Sequence, residues 1–293
     1  MRTIVRLKGG LGNQMFQYAA ALRFSGDDLP LINTVYLRDR TPRRGFTYRN
    51  FDLDVFGIRG PRTFLSEVAS SFPIPTLWLG LDYFLQKISG VKVIGDDYRM
   101  DTSLADLKNG PVFLDGFFQS YRFLEGNERR IREVFHFSKA PESEVEEFIK
   151  QIEAAPNPVS ICVRGGDYLN SVNSKIFTSQ GKEYYAQAIA SVLEHHPDAT
   201  FFVFDEGGRV KEVIPQDLAY TEVPSSAAGW KYTGFLRLQA ACKHHIIANS
   251  TFHWWGAFLC AEAGINIAPS RWYFNDKKNE EALAILPSGW TRI

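Results

Sequence analysis

Neither sign of charge predominates: 33 Lys and Arg stand against 33 Asp and Glu in 293 residues. That balance removes the long-range field that draws a protein to a polyanion. Beyond short arginine clusters no local patch replaces it, so nucleic acid is not an expected partner. Cysteine is scarce. Cys162, Cys242 and Cys260 are odd in number, and their spacing fits neither a zinc site nor a disulfide scaffold, which points to a reducing compartment. The histidines lack zinc-ligand spacing, and no Ser-His-Asp order suggests a hydrolase. Repeats and low-complexity tracts are missing. Long apolar runs are missing too. The most apolar window, "FPIPTLWLGLDYFLQ" (72–86), contains Pro73, Pro75 and Asp82 and is too short to span a bilayer. A packed helix is expected there rather than one lying on a membrane. The opening "MRTIVRLKGG" shows no signal-peptide pattern. The expectation is a cytoplasmic protein with no integral membrane segment.

What is present is apolar and aromatic. The 23 Phe, 12 Tyr and 6 Trp suit a large core and also suit surfaces that stack on sugars; core packing is the reading preferred for most of them. "TIVRL", "TVYL", "VKVI" and "PVFLDGFFQS" read as strands. "NQMFQYAAALRFS", the stretch around "NERRIREVF", and "PESEVEEFIKQIEA" read as helices. After "APNP" the alternation is more regular. Strands "VSICV", "TFFVF", "HIIAN" and "INIAP" are interleaved with helices "KEYYAQAIASVLEHH", "GWKYTGFLRLQAACK" and "TFHWWGAFLCAEAG". Such alternation implies an α/β protein with parallel sheets wrapped by helices. The break near 140–158 predicts two domains, 1–150 and 151–293, with a cleft between them.

Three strand-to-helix junctions carry the candidate chemistry. In "GGLGNQMF", Gly10 and Gly12 fit a dinucleotide loop, but Met15 stands where the third glycine belongs and no ribose-binding acid is clearly placed. What remains is a glycine turn at a helix N-terminus, which attracts anions, with Asn13 either a ligand contact or the N-cap. In "ICVRGGDY", Arg164 ends a buried strand and points to the crevice where open α/β sheets bind ligands. Its planar fork matches phosphate oxygens, Gly165 and Gly166 permit close approach, and Asp167 orients the arginine or caps the turn. The alternative is a surface Arg–Asp pair. In "IIANSTFHWWGAF", Asn249, Ser250 and Thr251 cap the following helix or serve a phosphate, and Phe252 is placed to pack on a base; Trp254 and Trp255 read as helix–sheet packing.

Two acidic pairs are weaker. Asp205 and Glu206 follow "FFVF" and read as turn acids or as acceptors for a base or ribose. Asp52 and Asp54 form a D-x-D pair that alternation places on one polar strand face; a bound metal is the less favoured reading.

Taken together, "GGLGNQMFQYA", "ICVRGGDY" and "IANSTFHWWGAFL" resemble the α-1,2-fucosyltransferases, particularly the soluble bacterial ones. "YRNFDLDVFGI", "FLDGFFQS" and "IREVFHF" look like the N-terminal half of the same family, so the resemblance covers nearly the whole chain in order. It implies a GT-B fold of two Rossmann-like domains, the first holding mainly the acceptor and the second GDP-fucose. It also implies an inverting reaction with no metal and no cofactor beyond the donor substrate. The family's arginine motif is His-x-Arg-x-Gly-Asp-Tyr. Arg164, Gly166, Asp167 and Tyr168 match it, and the resemblance gives Arg164 the donor phosphates. Cys162 stands in place of the histidine, Gly165 in place of a common second arginine, and His253 in place of a usual serine. Asp205-Glu206-Gly207 departs from the family's Ser-Asp-Asp, which puts nucleoside contacts there in question.

The expected reaction has a galactose 2-hydroxyl attacking the anomeric carbon of GDP-β-L-fucose from the face opposite GDP. Arg164, Ser250 and Thr251 are the candidates to hold the charge on the departing diphosphate, with Asn13 reaching from the other domain. Gly10, Gly12, Gly166, Asp205, Glu206, Asn249 and Phe252 complete the expected donor side. Asp115 and Gln119 are candidates to face the acceptor, the alternative being a helix-start turn. Partners are thus a nucleotide sugar and a galactose-terminated glycan of O-antigen, capsule or milk type, with a lipid-linked acceptor bringing the enzyme to the inner membrane face. The rivals are a transferase for another GDP-sugar or linkage, an NAD-dependent oxidoreductase, and an inactive sugar-nucleotide binder.

Overall fold

The computed structural model describes residues 3–41, 47–71, 77–96, 111–165, 173–262 and 264–293. The chain divides into two compact units, Met1–Ser138 and Lys139–Ile293. The division precedes the boundary at 150 read from the sequence, because the helix Ser143–Ala154 belongs to the second unit: its Val145 and Ile152 pack with Cys162, Phe202 and Phe204 there.

In the first unit the described order is β1 (Thr3–Arg6), α1 (Leu11–Ser25), β2 (Leu31–Asn33), α2 (Val35–Arg38), α3 (Phe64–Ser71), α4 (Leu77–Ile88), β3 (Lys92–Ile94), β4 (Val112–Leu114) and α5 (Glu128–Val134). The strands form a parallel sheet in the order β2-β1-β4-β3. Helix α1 is buried on nearly every side, Met15, Phe16 and Ala19–Ala21 included, which suits a helix apolar around most of its circumference.

Three expectations change here. "TVYL" is not a strand: the strand ends at Asn33, whose side-chain oxygen accepts the Val35 N–H at 3.1 Å and turns the chain out of the sheet into α2. Asp52 and Asp54 do not alternate along a strand, since Leu53–Phe56 is a 3-10 turn. Among the described residues no group of three or more His, Cys, Asp or Glu is disposed to hold a metal. Finally, residues 77–86 of the apolar window are helical, but α4 is not seated by its apolar residues. Leu77, Phe84 and Ile88 are 53%, 58% and 62% exposed, and the buried residue is Asp82. Its carboxylate takes bonds from Arg6 Nη2 (2.6 Å) and Asn33 Nδ2 (2.8 Å). Residues 72–76 of that window lie outside the described residues.

The second unit runs α6 (Ser143–Ala154), β5 (Pro158–Val163), α7 (Lys182–His195), β6 (Thr200–Asp205), α8 (Val210–Val213), β7 (Tyr220–Val223), α9 (Thr233–Ala241), β8 (His244–Ile246), α10 (Thr251–Leu259), β9 (Asn266–Ala268), α11 (Asp276–Ala282) and β10 (Thr291–Arg292). Its sheet is again parallel, in the order β10-β9-β8-β5-β6-β7. Alternation along β5 divides the core. Val159, Ile161 and Val163 meet Tyr184, Tyr185, Ala188 and Val192 of α7, whereas Cys162 packs with Phe202, Phe204, Phe235 and Leu238. Both units are therefore parallel α/β sheets, the fold class read from the alternation. Among the described residues no helix is long and apolar enough to cross a membrane.

Candidate active site

The central strands of the second sheet set up the site. β5 lies between β6 and β8, with Val163 opposite Asp205 and Ile161 opposite Ile246. Parallel pairing therefore brings three carboxyl-end loops together, starting at Arg164, Glu206 and Ile247. Ligands of open α/β sheets bind at that edge.

Arg164 is the hub. Its Nη1 donates to Glu206 Oε2 at 2.8 Å and to Ser250 Oγ at 3.1 Å, joining residues 42 and 86 positions away. Ser250 is the N-cap residue of α10 by position, yet its hydroxyl makes no cap bond and accepts from Arg164 instead. A guanidinium thus lies at the N-terminus of a nine-residue helix with no acid in its first turn. Hydroxyl, N–H groups and fixed fork at one place are what an anionic oxygen needs.

Glu206 sits behind this cation. Its backbone N–H continues the sheet by donating to Val163 O at 3.1 Å. Its other carboxylate oxygen, Oε1, lies 3.3 Å from Nε2 of His253, a ring buried completely at the third position of α10. Burial by itself would raise the Glu206 carboxyl, but His253 and Arg164 outweigh it and hold the group at about 2. Glu206 and His253 are far apart in the sequence and neighbours in the structure.

The remaining sequence candidates of this unit divide by what they hold. Asp205 is the turn acid, accepting from the N–H of Gly207 (2.9 Å) and of Val210 (3.2 Å). Asn249 is buried and its amide donates to the carbonyls of Thr178 (2.8 Å) and Trp272 (3.1 Å), so it ties two segments to the end of β8. Thr251 opens α10. Phe252 meets the exposed Tyr232 ring edge-on at 6.3 Å between centroids. Trp254 and Trp255 are core residues, Trp254 stacking on Phe258 at 4.9 Å. Gly165 has a specific reason to lack a side chain: a Cβ there would stand 2.7 Å from Gly207 Cα, so the two loops meet backbone to backbone. Gly166 and Asp167, with Tyr168, lie outside the described residues. One residue was missed. Arg209 donates from Nη1 to the Arg164 carbonyl (3.2 Å) and to Ser179 Oγ (2.5 Å), tying down the loop from the far side. Its place in a Gly-Gly-Arg run after β6 was the available signal.

In the first unit the glycine turn is real but its parts differ from expectation. Gly9 has φ +74°, where a side chain would be strained and would collide with Asn13. Gly10 is the N-cap of α1 and Gly12 lies inside the helix, so Asn13, the third helical residue, is not the cap. Asn13 Oδ1 instead accepts from Gln119 Nε2 at 2.7 Å, bringing two sequence candidates together. Gln14 pins the 50–52 stretch through Asn50 O (2.7 Å) and Asp52 N (2.9 Å), and Arg49 lies beside Gly10, 3.8 Å from where a Cβ would be. Asp115, at the end of β4, is ion-paired with both Arg6 and Lys8. Arg6 is wholly buried, with its guanidinium 4.0 Å over the Tyr83 ring. Arg6 and Lys8 belong to none of the sequence motifs, and Asp82 is marked there only as a charge inside an apolar window. A charge ending an apolar strand, and an acid inside an apolar run, were the signals.

An Escherichia coli protein named alpha-1,2-colitosyltransferase is 28% identical over 294 residues, covering 99% of this chain and 98% of that one. The E. coli O-antigen biosynthesis glycosyltransferase WbnK is 27% identical, covering 94% and 96% respectively. Among solved structures, fucosyltransferase NodZ from Bradyrhizobium aligns with 87% of this chain and 91% of its own, at 13% identity and a TM-score of 0.42. Residues 82–293, which include every element of the Arg164 site, match the family model Glycosyl transferase family 11, and the chain belongs to that family.

Proposed function

We propose that this glycosyltransferase carries a deoxyhexose from a GDP-sugar to the 2-hydroxyl of a galactose residue in a glycan, with inversion and without a metal. GDP-β-L-fucose is the donor favoured by the sequence motifs. GDP-colitose is the second reading, favoured by the relative named for colitose that matches along the whole chain. The observation that carries the proposal is the meeting of Arg164, Ser250 and the α10 N-terminus at the carboxyl edge of the β5–β8 pair.

The chemistry follows from charge. As the glycosidic bond breaks, positive charge grows on the sugar and negative charge on the departing diphosphate. With no metal to hold it, that charge falls to the Arg164 fork, to the Ser250 and Thr251 hydroxyls and to the Thr251 N–H. Donors aimed at developing charge are worth about 10²–10³ in rate. Gly165 sets the loop that carries Arg164 through its close backbone approach to Gly207. Phe252 is assigned to the base. Asn249 and Asp205 act on the donor only through the loops they tie.

In the first unit, Asn13 and Gln119 form one hydrogen-bonded pair, and with Asp115 they are assigned to the acceptor; Gly10 and Gly12 shape the turn beneath them. Asp115 already bridges two cations, so it is assigned to orienting the acceptor, and the hydroxyl proton passes through solvent water to the departed diphosphate.

Calorimetry with GDP, GDP-fucose, GDP-colitose and NAD tests the reading, followed by turnover on a panel of galactosides with and without EDTA. GDP binding, transfer from one of the two sugars and indifference to EDTA are expected. NAD binding in place of GDP, or turnover abolished by chelation, refutes it. GDP binding with no transfer to any galactoside favours an inactive binder.

A further inference from the structure

The buried His253 is not needed for the reaction as drawn above, yet it lies directly behind the residue that is. Its ring is fully buried, and Nε2 lies 3.3 Å from one oxygen of Glu206 while the other oxygen takes Arg164 Nη1 at 2.8 Å. The three side chains thus form a line from the core outwards: imidazole, carboxylate, guanidinium, then the Ser250 hydroxyl at 3.1 Å. Glu206 is 17% exposed and Arg164 18%, so both reach the surface, while the imidazole behind Glu206 does not. An isolated carboxylate here would be costly to bury, and it would cancel the cation it touches. The imidazole offsets the first cost.

We propose that His253 and Glu206 are positioning residues for the donor's diphosphate: the buried imidazole seats the Glu206 carboxylate, and the carboxylate fixes the Arg164 guanidinium against Ser250. This rests on the reading of Arg164 as the diphosphate contact and adds to it the two residues that aim it. The geometry is distributed over three elements, the loop after β5, the loop after β6 and the first turn of α10. Helix α10 therefore contributes to the site through His253 as well as through its N-terminus.

The test compares affinity for GDP with affinity for guanosine, which shares the base and ribose but has no phosphate. His253→Ala and Glu206→Gln are each expected to weaken GDP binding about tenfold, the loss of one charge-assisted contact, and to leave guanosine binding unchanged. His253→Gln, whose amide still reaches toward the carboxylate, is expected to restore most of the GDP affinity. A purely structural role would instead weaken both ligands together. If His253→Ala does not fold, Glu206→Gln at its partly exposed position still decides. GDP affinity unchanged in the folded variants overturns this inference alone. So does GDP binding that strengthens in Glu206→Gln, which would make Glu206 a competitor for Arg164 rather than its anchor. Wild-type protein that binds no GDP overturns the donor reading and this inference with it.

Discussion

Replacing Arg164 by lysine keeps one positive charge and removes the fork. In the structure a single nitrogen, Nη1, serves both Glu206 Oε2 at 2.8 Å and Ser250 Oγ at 3.1 Å. A lysine ammonium is a point charge on a flexible stem, without a planar edge held at a fixed angle to the strand. It can follow Glu206 inwards or an anion outwards, and it has no rigid geometry that serves both. At least one charge-assisted hydrogen bond to the donor is therefore lost, worth roughly 1.5–3 kcal/mol. Because a factor of ten in rate is about 1.4 kcal/mol, Arg164→Lys should lower kcat/KM at least about tenfold. The side chain lies at a strand end near the surface, so the fold should tolerate the change with little loss in Tm. The assay is GDP release from the donor over a range of concentrations, paired with GDP calorimetry and a thermal melt. A folded lysine variant with wild-type kcat/KM and wild-type GDP affinity would refute the assignment of Arg164 to the diphosphate.

Three other outcomes are expected. His245 is fully buried with Nδ1 2.8 Å from Ser160 Oγ, and burial, helped by His244, pushes it down from 6.5 to about 3. Its neutral form belongs to the folded state, so the associated stability is complete above pH 6.5 and is lost as pH falls toward 3. That amounts to about 2 kcal/mol by pH 5, and urea melts of His245→Asn should show a shallower loss between pH 7 and 5. Gly165→Ala places a Cβ 2.7 Å from Gly207 Cα and must part the two loops; a loss of about 1–3 kcal/mol in stability with weaker GDP binding is expected, and an unchanged Kd would show that the loop contact does not set the site. Asp82→Asn removes one of the two carboxylates paired with the buried Arg6 and should cost up to about 3 kcal/mol in denaturant melts, with the GDP affinity of folded protein unchanged.

Much of the second unit was legible because its signals are local. β5 and β6 are continuous apolar runs, as buried parallel strands are, and α7 carries its apolar residues at helical spacing. β7 was not, since Tyr220, Thr221 and Glu222 are exposed at the sheet's edge and leave no apolar pattern. "TVYL" has the composition of a strand, but a single bond from Val35 N–H to Asn33 ends the strand before it begins. α4 shows the opposite failure. Its apolar composition predicts burial by the apolar face, whereas a buried carboxylate seats it on Arg6 and Asn33. In the site, Arg164 and Ser250 stood out because each follows an apolar strand directly. That they touch, and that Glu206 and His253 stand behind them, depends on the order β8-β5-β6, which no local pattern encodes.

The strand order also bears on whether the departures from the fucosyltransferase pattern argue for an inactive protein. The resemblance places a histidine at 162 and a second arginine at 165, where this chain has cysteine and glycine. Cys162 is wholly buried among Phe202, Phe204 and Phe235, with burial pushing its thiol up, so it supplies no cation to the site. Gly165 has no room for any side chain. Both missing groups nevertheless stand close by on other elements. His253 of α10 brings an imidazole to Glu206, and Arg209 brings a guanidinium to the loop, its Nη1 on the Arg164 carbonyl at 3.2 Å. An imidazole and a guanidinium therefore both stand around the Arg164 loop, supplied by other elements. If Arg209 is such a replacement, Arg209→Ala should loosen the Arg164 loop and weaken GDP several-fold beyond any change in guanosine binding. Equal effects on the two ligands, or none on either, would return Arg209 to the role of a loop tie and restore weight to the inactive reading.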